Sequence, residues 1–119
     1  MITIKNIKEM EKYYNEKTNT YVFYDDVDFY VDIQVHSSIK AMDIKAEGNL
    51  EAWDIKAIDI DASDICAWNI EARNITAKNI SYYAVCFAYQ NIICETIKGE
   101  RKNAKHFCLD GEIRTETTI

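Results

Sequence analysis

Residues 43–80 read DIKAEGNLEAWDIKAIDIDASDICAWNIEARNITAKNI, and this stretch decides the fold. A large aliphatic residue recurs at Ile44, Leu50, Ile55, Ile60, Ile65, Ile70, Ile75 and Ile80. Alanine follows two positions later at Ala46, Ala52, Ala57, Ala62, Ala67, Ala72 and Ala77. Asp or Asn stands immediately before each aliphatic residue: Asp43, Asn49, Asp54, Asp59, Asp64, Asn69, Asn74 and Asn79. The unit is five residues long, with one extra residue near Gly48. In extended backbone, residues i and i+2 share a face, so Ile and Ala point the same way. A period of five matches neither an α-helix nor a long alternating strand. It fits a short strand, a corner and another short strand. Asp and Asn suit the corners, because they tolerate unusual backbone angles and bond to nearby amides. Stacked coils then pile Ile on Ile inside an enclosed lumen, each buried Ile contributing roughly 1.5–3 kcal/mol. The chain contains no proline, as a stack in which every strand donates hydrogen bonds requires. The predicted fold is all-β, a parallel β-helix.

Three units per coil would give a triangular prism and four a square one. Trp53, Trp68 and Tyr83 lie fifteen residues apart and form an outward column only if the coil has three sides. Four sides would align Cys66 with Cys86 instead. The aromatic spacing favours three.

Working outward, residues 1–35 are expected to cap the solenoid, 36–82 to form its regular part, and 83–119 a degenerate closing coil and tail, all in one domain. Asn6 to Lys17 predicts a short capping helix, since Ile7, Met10 and Tyr14 recur at helical spacing. Thr18 to Thr20 reads as a turn. Tyr21 to Val35 alternates apolar and polar residues through Val27, Phe29, Val31, Ile33 and Val35, a strand signal that leaves Asp25, Asp26, Asp28 and Asp32 facing water. Beyond Ile80 the rhythm persists loosely at Ile92, Ile97 and Phe107.

The 119 residues carry a net charge of −6. Between Asp43 and Glu71, acidic residues far outnumber Lys45 and Lys56, and this stretch holds the whole imbalance. Direct nucleic-acid binding through a broad basic face is therefore not expected. A protein partner with a basic surface is the natural complement. No apolar run reaches membrane length and no signal peptide opens the chain, so a cytoplasmic protein with no membrane association is expected.

Cys66, Cys86, Cys94 and Cys108 sit among apolar residues, which predicts thiols packed as small hydrophobes. His106, Cys108 and Asp110, with Cys86 and Cys94, can also be read as a nucleophile or metal set, but no CxxC spacing supports it. No catalytic residue, metal or cofactor is assigned. His36 reads as structural, and Lys98, Arg101, Lys102 and Lys105 as a solvated basic loop. The corner Asp/Asn residues are explained by turn chemistry. Glu51, Asp61 and Glu71 are not, because no corner requires them. They join Trp53, Trp68 and Tyr83 as candidate partner-binding residues, since exposed tryptophan and tyrosine favour interfaces.

The run of DIKA, NIEA and NITA units, followed by ISYYAVCFAY, TIKGERKNAKHF and CLDGEI, resembles an uncharacterised family of small phage and prophage proteins from Gram-positive gut bacteria. That resemblance implies a genomic setting and transfers no catalytic residue. The chain is also distantly similar to pentapeptide-repeat proteins, some of which are acidic DNA mimics. It departs from their pattern in placing Ala two residues after the central Ile and in varying the position two before it (Trp53, Ile58, Ser63, Trp68, Arg73, Lys78). Together these readings predict a non-enzymatic interaction module, in its sharpest form a phage-encoded inhibitor of a host nuclease or other defence protein. The alternatives are a self-assembling structural β-helix, as a homo-oligomer, and a small-ligand binder or enzyme using the C-terminal Cys/His region.

Overall fold

The computed structural model describes residues 1–118, with side chains through residue 115. The chain winds into a parallel β-solenoid of about six turns. Three parallel ladders define its faces. On the first, Ile2, Val27, Ile44, Ile60, Ile75, Ile92 and Ile113 follow one another in register. On the second, Ile33, Leu50, Ile65, Ile80 and Ile97 do so. The third runs through Tyr21, Ile39, Ile55, Ile70, Cys86 and His106. In the regular coils the partner of Ile55 is Ile70, of Ile60 is Ile75 and of Ile65 is Ile80, fifteen residues on each time. Three five-residue sides account for that spacing. A square coil would need twenty residues and would pair Cys66 with Cys86, whereas Cys66 pairs with Ser81.

The lumen is the core. The ladder residues Ile39, Ile44, Leu50, Ile55, Ile60, Ile65, Ile70, Ile75 and Ile80 are no more than 2% exposed, and the alanines two positions on are buried beside them. Between first and second faces the early coils spend one residue more, and Gly48 occupies that corner. A Cβ there would lie 1.9 Å from Asp32 Oδ1, which accepts a hydrogen bond from Asn49 N at 2.9 Å. A larger residue there would push that carboxylate off Asn49 N.

The corners are tied up the stack by their own side chains. Ahead of the first face, Asp26 accepts from Asp43 N (3.0 Å) and Asp43 from Asp59 N (3.2 Å). Asp59 then accepts from Asn74 Nδ2 (3.2 Å), Asn74 from Asn91 N (3.2 Å) and Asn91 from Glu112 N (3.1 Å). At the other corners Asn69 Nδ2 donates to Asp54 (3.0 Å) and Asn79 Nδ2 to Asp64 (2.9 Å). Asp54, Asp59 and Asp64 of one coil are thus each topped by an Asn of the next, which places an amide donor on a carboxylate. The corner role of these residues is visible bond by bond.

The N-terminal cap differs in detail from the predicted helix. It is a 3-10 helix, Ile7–Tyr13, with Asn6 accepting from Lys8 N at its start. In a 3-10 helix residues three apart eclipse, so Ile7, Met10 and Tyr13 share one face; Met10 is buried and Tyr13 partly buried against the core, while Ile7, in the first turn, and Tyr14 are exposed. Tyr13 packs on Phe23 and Phe23 on the edge of Phe29, closing the lumen. Tyr14 instead begins a strand, Tyr14–Asn15, antiparallel to Thr20–Val22. The connecting turn holds Asn19 at φ 51°, which asparagine tolerates.

The predicted strand over Tyr21–Val35 is three short strands, Thr20–Val22, Val27–Phe29 and Ile33–Gln34, one per face. Its inward residues are as expected at Val27, Phe29 and Ile33. Asp25, Asp26 and Asp32 face solvent, but Asp28 is only 8% exposed.

At the other end, Ile92 and Ile97 stay in the lumen. Phe107 does not: it pairs with outward Phe87 and is exposed, while His106 and Cys108 take the inward places. The phase is set by Tyr82, which fills an alanine position and bonds His106 Nδ1 at 2.5 Å. Its ring demands space in the next coil, and Gly99 provides it. A Cβ at Gly99 would sit 2.9 Å from the Tyr82 hydroxyl and 2.5 Å from Ala104 Cβ. The predicted closing segment runs to Ile119, which lies outside the described residues.

Candidate functional site

Trp53 and Trp68 leave the second face at its corner with the third and point outward, one coil apart. Their rings stack with centroids 4.8 Å apart and planes within 5°. The backbone fixes the pair, Trp68 N donating to Trp53 O at 2.6 Å. Tyr83 continues the column without stacking. The register slips between Ala67↔Tyr82 and Asn69↔Val85, so this coil carries one extra residue beside the tyrosine. Trp68 and Tyr83, each about half exposed, therefore flank a hollow of about 310 Å³.

On the second face, Glu51, Cys66, Ser81 and Lys98 form the outward row. Glu100 folds back from the following corner and accepts from Ser81 Oγ at 2.9 Å. A groove of about 350 Å³ results, with Cys66 and Ser81 as its floor, the aromatic column as one wall, and Glu51 and Glu100 as its acidic groups. Burial and the charges of Glu51 and Glu100 push the Cys66 thiol up, so both carboxylates bear on the same point of the floor.

The structure separates the three predicted acidic residues. Glu51 lies on the second face, Asp61 on the first and Glu71 on the third. Each follows a lumenal residue, and the three lumenal residues are ten apart, so each step turns to a different face. Only Glu51 joins the aromatic column. Glu71 is paired with Lys56 at 3.3 Å. Asp61 lies with Asp26, Asp28, Asp43 and Asp59 on an acidic patch. Within it Asp28 Oδ1 is buried without a hydrogen-bond partner, and Asp59 is held below the usual carboxylate range by Arg73, which grips both its oxygens at 3.1 and 2.7 Å. Among the described residues no three His, Cys, Asp or Glu side chains are placed to hold a metal ion.

Cys66 is exposed, contrary to the reading of all four cysteines as packed among apolar residues. Outward position follows from its place directly after Ile65. Fifteen-residue spacing was the signal for the groove floor, since positions 51, 66 and 81 repeat it just as the aromatic column does. Glu100 has no such signal, because it follows the frame shift beyond Ile80.

The C-terminal Cys/His group lies at the far end of the lumen. Burial raises Cys86 to about 12 and also pushes Cys94 and Cys108 up. Protonated thiols are poor nucleophiles, and an activated cysteine requires the opposite shift. Burial lowers His106. His106 Nδ1 and the Tyr82 hydroxyl share one hydrogen bond, whose direction follows the imidazole tautomer. This is the chemistry of a packed end layer. In the basic loop, Lys98 reaches Glu100 at 3.9 Å, and Arg101 N donates to Tyr83 O at 3.1 Å.

Among the described residues no helix is long and apolar enough to cross a membrane. Compared with protein-family models, with curated proteins and with solved structures, the chain matches none.

Proposed function

We propose that the protein is a non-enzymatic interaction module, a stiff β-solenoid that presents the Trp53–Trp68–Tyr83 corner and the adjoining Glu51 to a basic surface on a protein partner. The carrying observation is the face-to-face Trp53–Trp68 pair, with Trp53 part-buried and Trp68 half exposed, beside the Glu51 carboxylate. Large aromatics held in one geometry bury much area on binding at little entropic cost. The lumen beneath and the ladder of corner hydrogen bonds hold them so. The raised thiols of the C-terminal end supply no activated nucleophile, which disfavours an enzyme there. In the phage or prophage setting that the resemblance implies, the partner would be a host defence protein, a nuclease first among them.

The test is quantitative affinity capture from host lysate with the wild type and with a Trp53→Ala/Trp68→Ala variant, followed by titration of the captured protein in rising salt. The expected result is a partner lost with the tryptophans, whose affinity falls as salt screens the carboxylates. Equal capture by both proteins would refute the reading. Sedimentation over a concentration range checks the homo-oligomer alternative, which a monomer throughout excludes.

A further inference from the structure

We infer that the groove on the second face is an arginine-binding cleft, taking the guanidinium of a basic protein segment between the free face of Trp68 and the carboxylates of Glu51 and Glu100. This deepens the interaction reading above and rests on it.

The ring geometry comes first. In a stacked column only the end faces are open. Trp53 covers one face of Trp68, with planes within 5°. The opposite face is left for the hollow that Trp68 shares with Tyr83. That hollow exists because of the extra residue between Tyr82 and Val85, which carries Tyr83 out of stacking register. A slot with one indole face and a tyrosine beside it suits a flat cation. Guanidinium is planar, weakly hydrated and stacks on indole, whereas the compact, strongly hydrated ammonium of lysine matches such a slot less well. A methylated ammonium is better held by rings converging around a point, and parallel Trp53 and Trp68 do not converge.

The charges come second. Glu51 makes no side-chain hydrogen bond and no ion pair among the described residues, in contrast to Glu71 with Lys56. Glu100 is oriented by Ser81 and touched only loosely by Lys98. Both carboxylates act on Cys66, so their field converges on the groove floor. Successive strands lie about 4.8 Å apart, which puts Ser81 about 10 Å from Glu51 along the face. Glu51 lies in the coil of Trp53 and Glu100 beside Ser81, so a guanidinium on the free face of Trp68 meets Glu100 directly and Glu51 where that side chain reaches over Cys66. Charge-assisted pairing of guanidinium with carboxylate supplies direction as well as energy. The same carboxylates repel a phosphate backbone, so a nucleic acid is not the occupant.

The experiment uses the full chain, labelled for NMR, titrated with three blocked pentapeptides that differ only in carrying two arginines, two lysines or two citrullines between glycines. The expected result is saturable movement of the Trp68 indole N–H and of the Glu51, Cys66 and Ser81 backbone signals with the arginine peptide. Binding of the lysine peptide should be several-fold weaker and that of citrulline absent. Glu51→Gln should weaken arginine binding about tenfold while leaving the melting temperature unchanged, since the side chain is exposed. Equal response to all three peptides, or shifts confined to other faces, overturns the assignment. If the arginine peptide fails while the tryptophan variant still loses a captured protein, the arginine assignment falls and the interaction reading stands. If both fail, both fall.

Discussion

Replacing Asn79 by aspartate tests the corner ladder directly. Asn79 Nδ2 donates to Asp64 Oδ1 at 2.9 Å, and Asn79 Oδ1 accepts from Thr96 Oγ1 at 2.6 Å. Asn79→Asp keeps the acceptor and removes the donor. The hydrogen bond to a carboxylate is worth about 1.5–3 kcal/mol. In its place stand two carboxylates at close range. Two unit charges about 4 Å apart repel by about 1 kcal/mol in water and about 4 kcal/mol near a protein surface. Both side chains are half-buried and free to rotate apart in part, so the expected loss is about 3 kcal/mol at neutral pH. The loss has a pH signature. In the folded variant the pair retains a proton that the unfolded chain releases near pH 3.9, so its pKa is raised on folding. The folded state then binds more protons, and stability relative to wild type falls as pH rises through that window and recovers as pH drops. Urea unfolding followed by circular dichroism at pH 7 and pH 4.5 measures both. The double variant Asp64→Asn/Asn79→Asp restores one amide against one carboxylate and should regain most of the loss. A deficit under about 0.5 kcal/mol, an equal deficit at both pH values, or no recovery in the double variant refutes the ladder as a stabilising device.

Three further outcomes follow from the same geometry. Ile70→Ala, at a lumenal site 1% exposed, should cost about 2–5 kcal/mol in urea unfolding, while Ile58→Ala on the outside should cost under about 0.5 kcal/mol; similar losses would contradict an enclosed lumen. Labelling with a thiol reagent, read by mass spectrometry, should modify Cys66 first in the native protein and Cys86, held near 12 by burial, only on unfolding; early labelling of Cys86 would place it outside the core. His106 is lowered by burial, so it is neutral in the fold, and its contribution is present above the unfolded value near 6.5 and lost as pH falls below it. His106→Gln should flatten that part of the stability profile, and an unchanged profile would remove His106 as its source.

Much of the architecture was legible because two signals had the same period. The Ile–Ala pairs placed the lumen, and the fifteen-residue spacing of Trp53, Trp68 and Tyr83 set the number of sides. What was lost was lost at changes of coil length. Register intervals lengthen from fifteen at Ile60↔Ile75 to seventeen at Ile75↔Ile92 and twenty-one at Ile92↔Ile113. Beyond Tyr82 the phase depends on a hydrogen bond to His106 and on Gly99 making room, contacts that no local pattern announces. Phe107 was therefore assigned to the wrong side. Asp28 escaped for a similar reason. Alternation places it outward, but it is buried there and bonded to Tyr30, whose phenol its charge pushes up. Grouping Glu51 with Asp61 and Glu71 ignored the coil, since residues ten apart cannot share a face of a three-sided solenoid.

The charge pattern has a structural cause that narrows what counts as a binding signal. Asp54, Asp59 and Asp64 occupy the corners of one coil, and Asn69, Asn74 and Asn79 occupy the same corners in the next. An Asn corner can donate to the layer below and accept from the layer above, but a carboxylate can only accept. A coil of Asp must therefore be followed by donors, whether asparagine side chains or, as at Asp26 and Asp43, backbone amides. The acidity of residues 43–71 is in large part this ladder and implies no ligand. Arg73 on Asp59 and Lys56 on Glu71 compensate further charge within the chain. Among the described residues of this stretch, the carboxylates of Glu47, Glu51 and Asp61 are used by no corner, ion pair or hydrogen bond, and of these Glu51 alone adjoins the aromatic column. It stands beside the stacked Trp53–Trp68 pair, of which Trp68 is half exposed, on the regular coils of the stack. That coincidence, rather than the net charge, is the reason to look for a cationic partner on the second face.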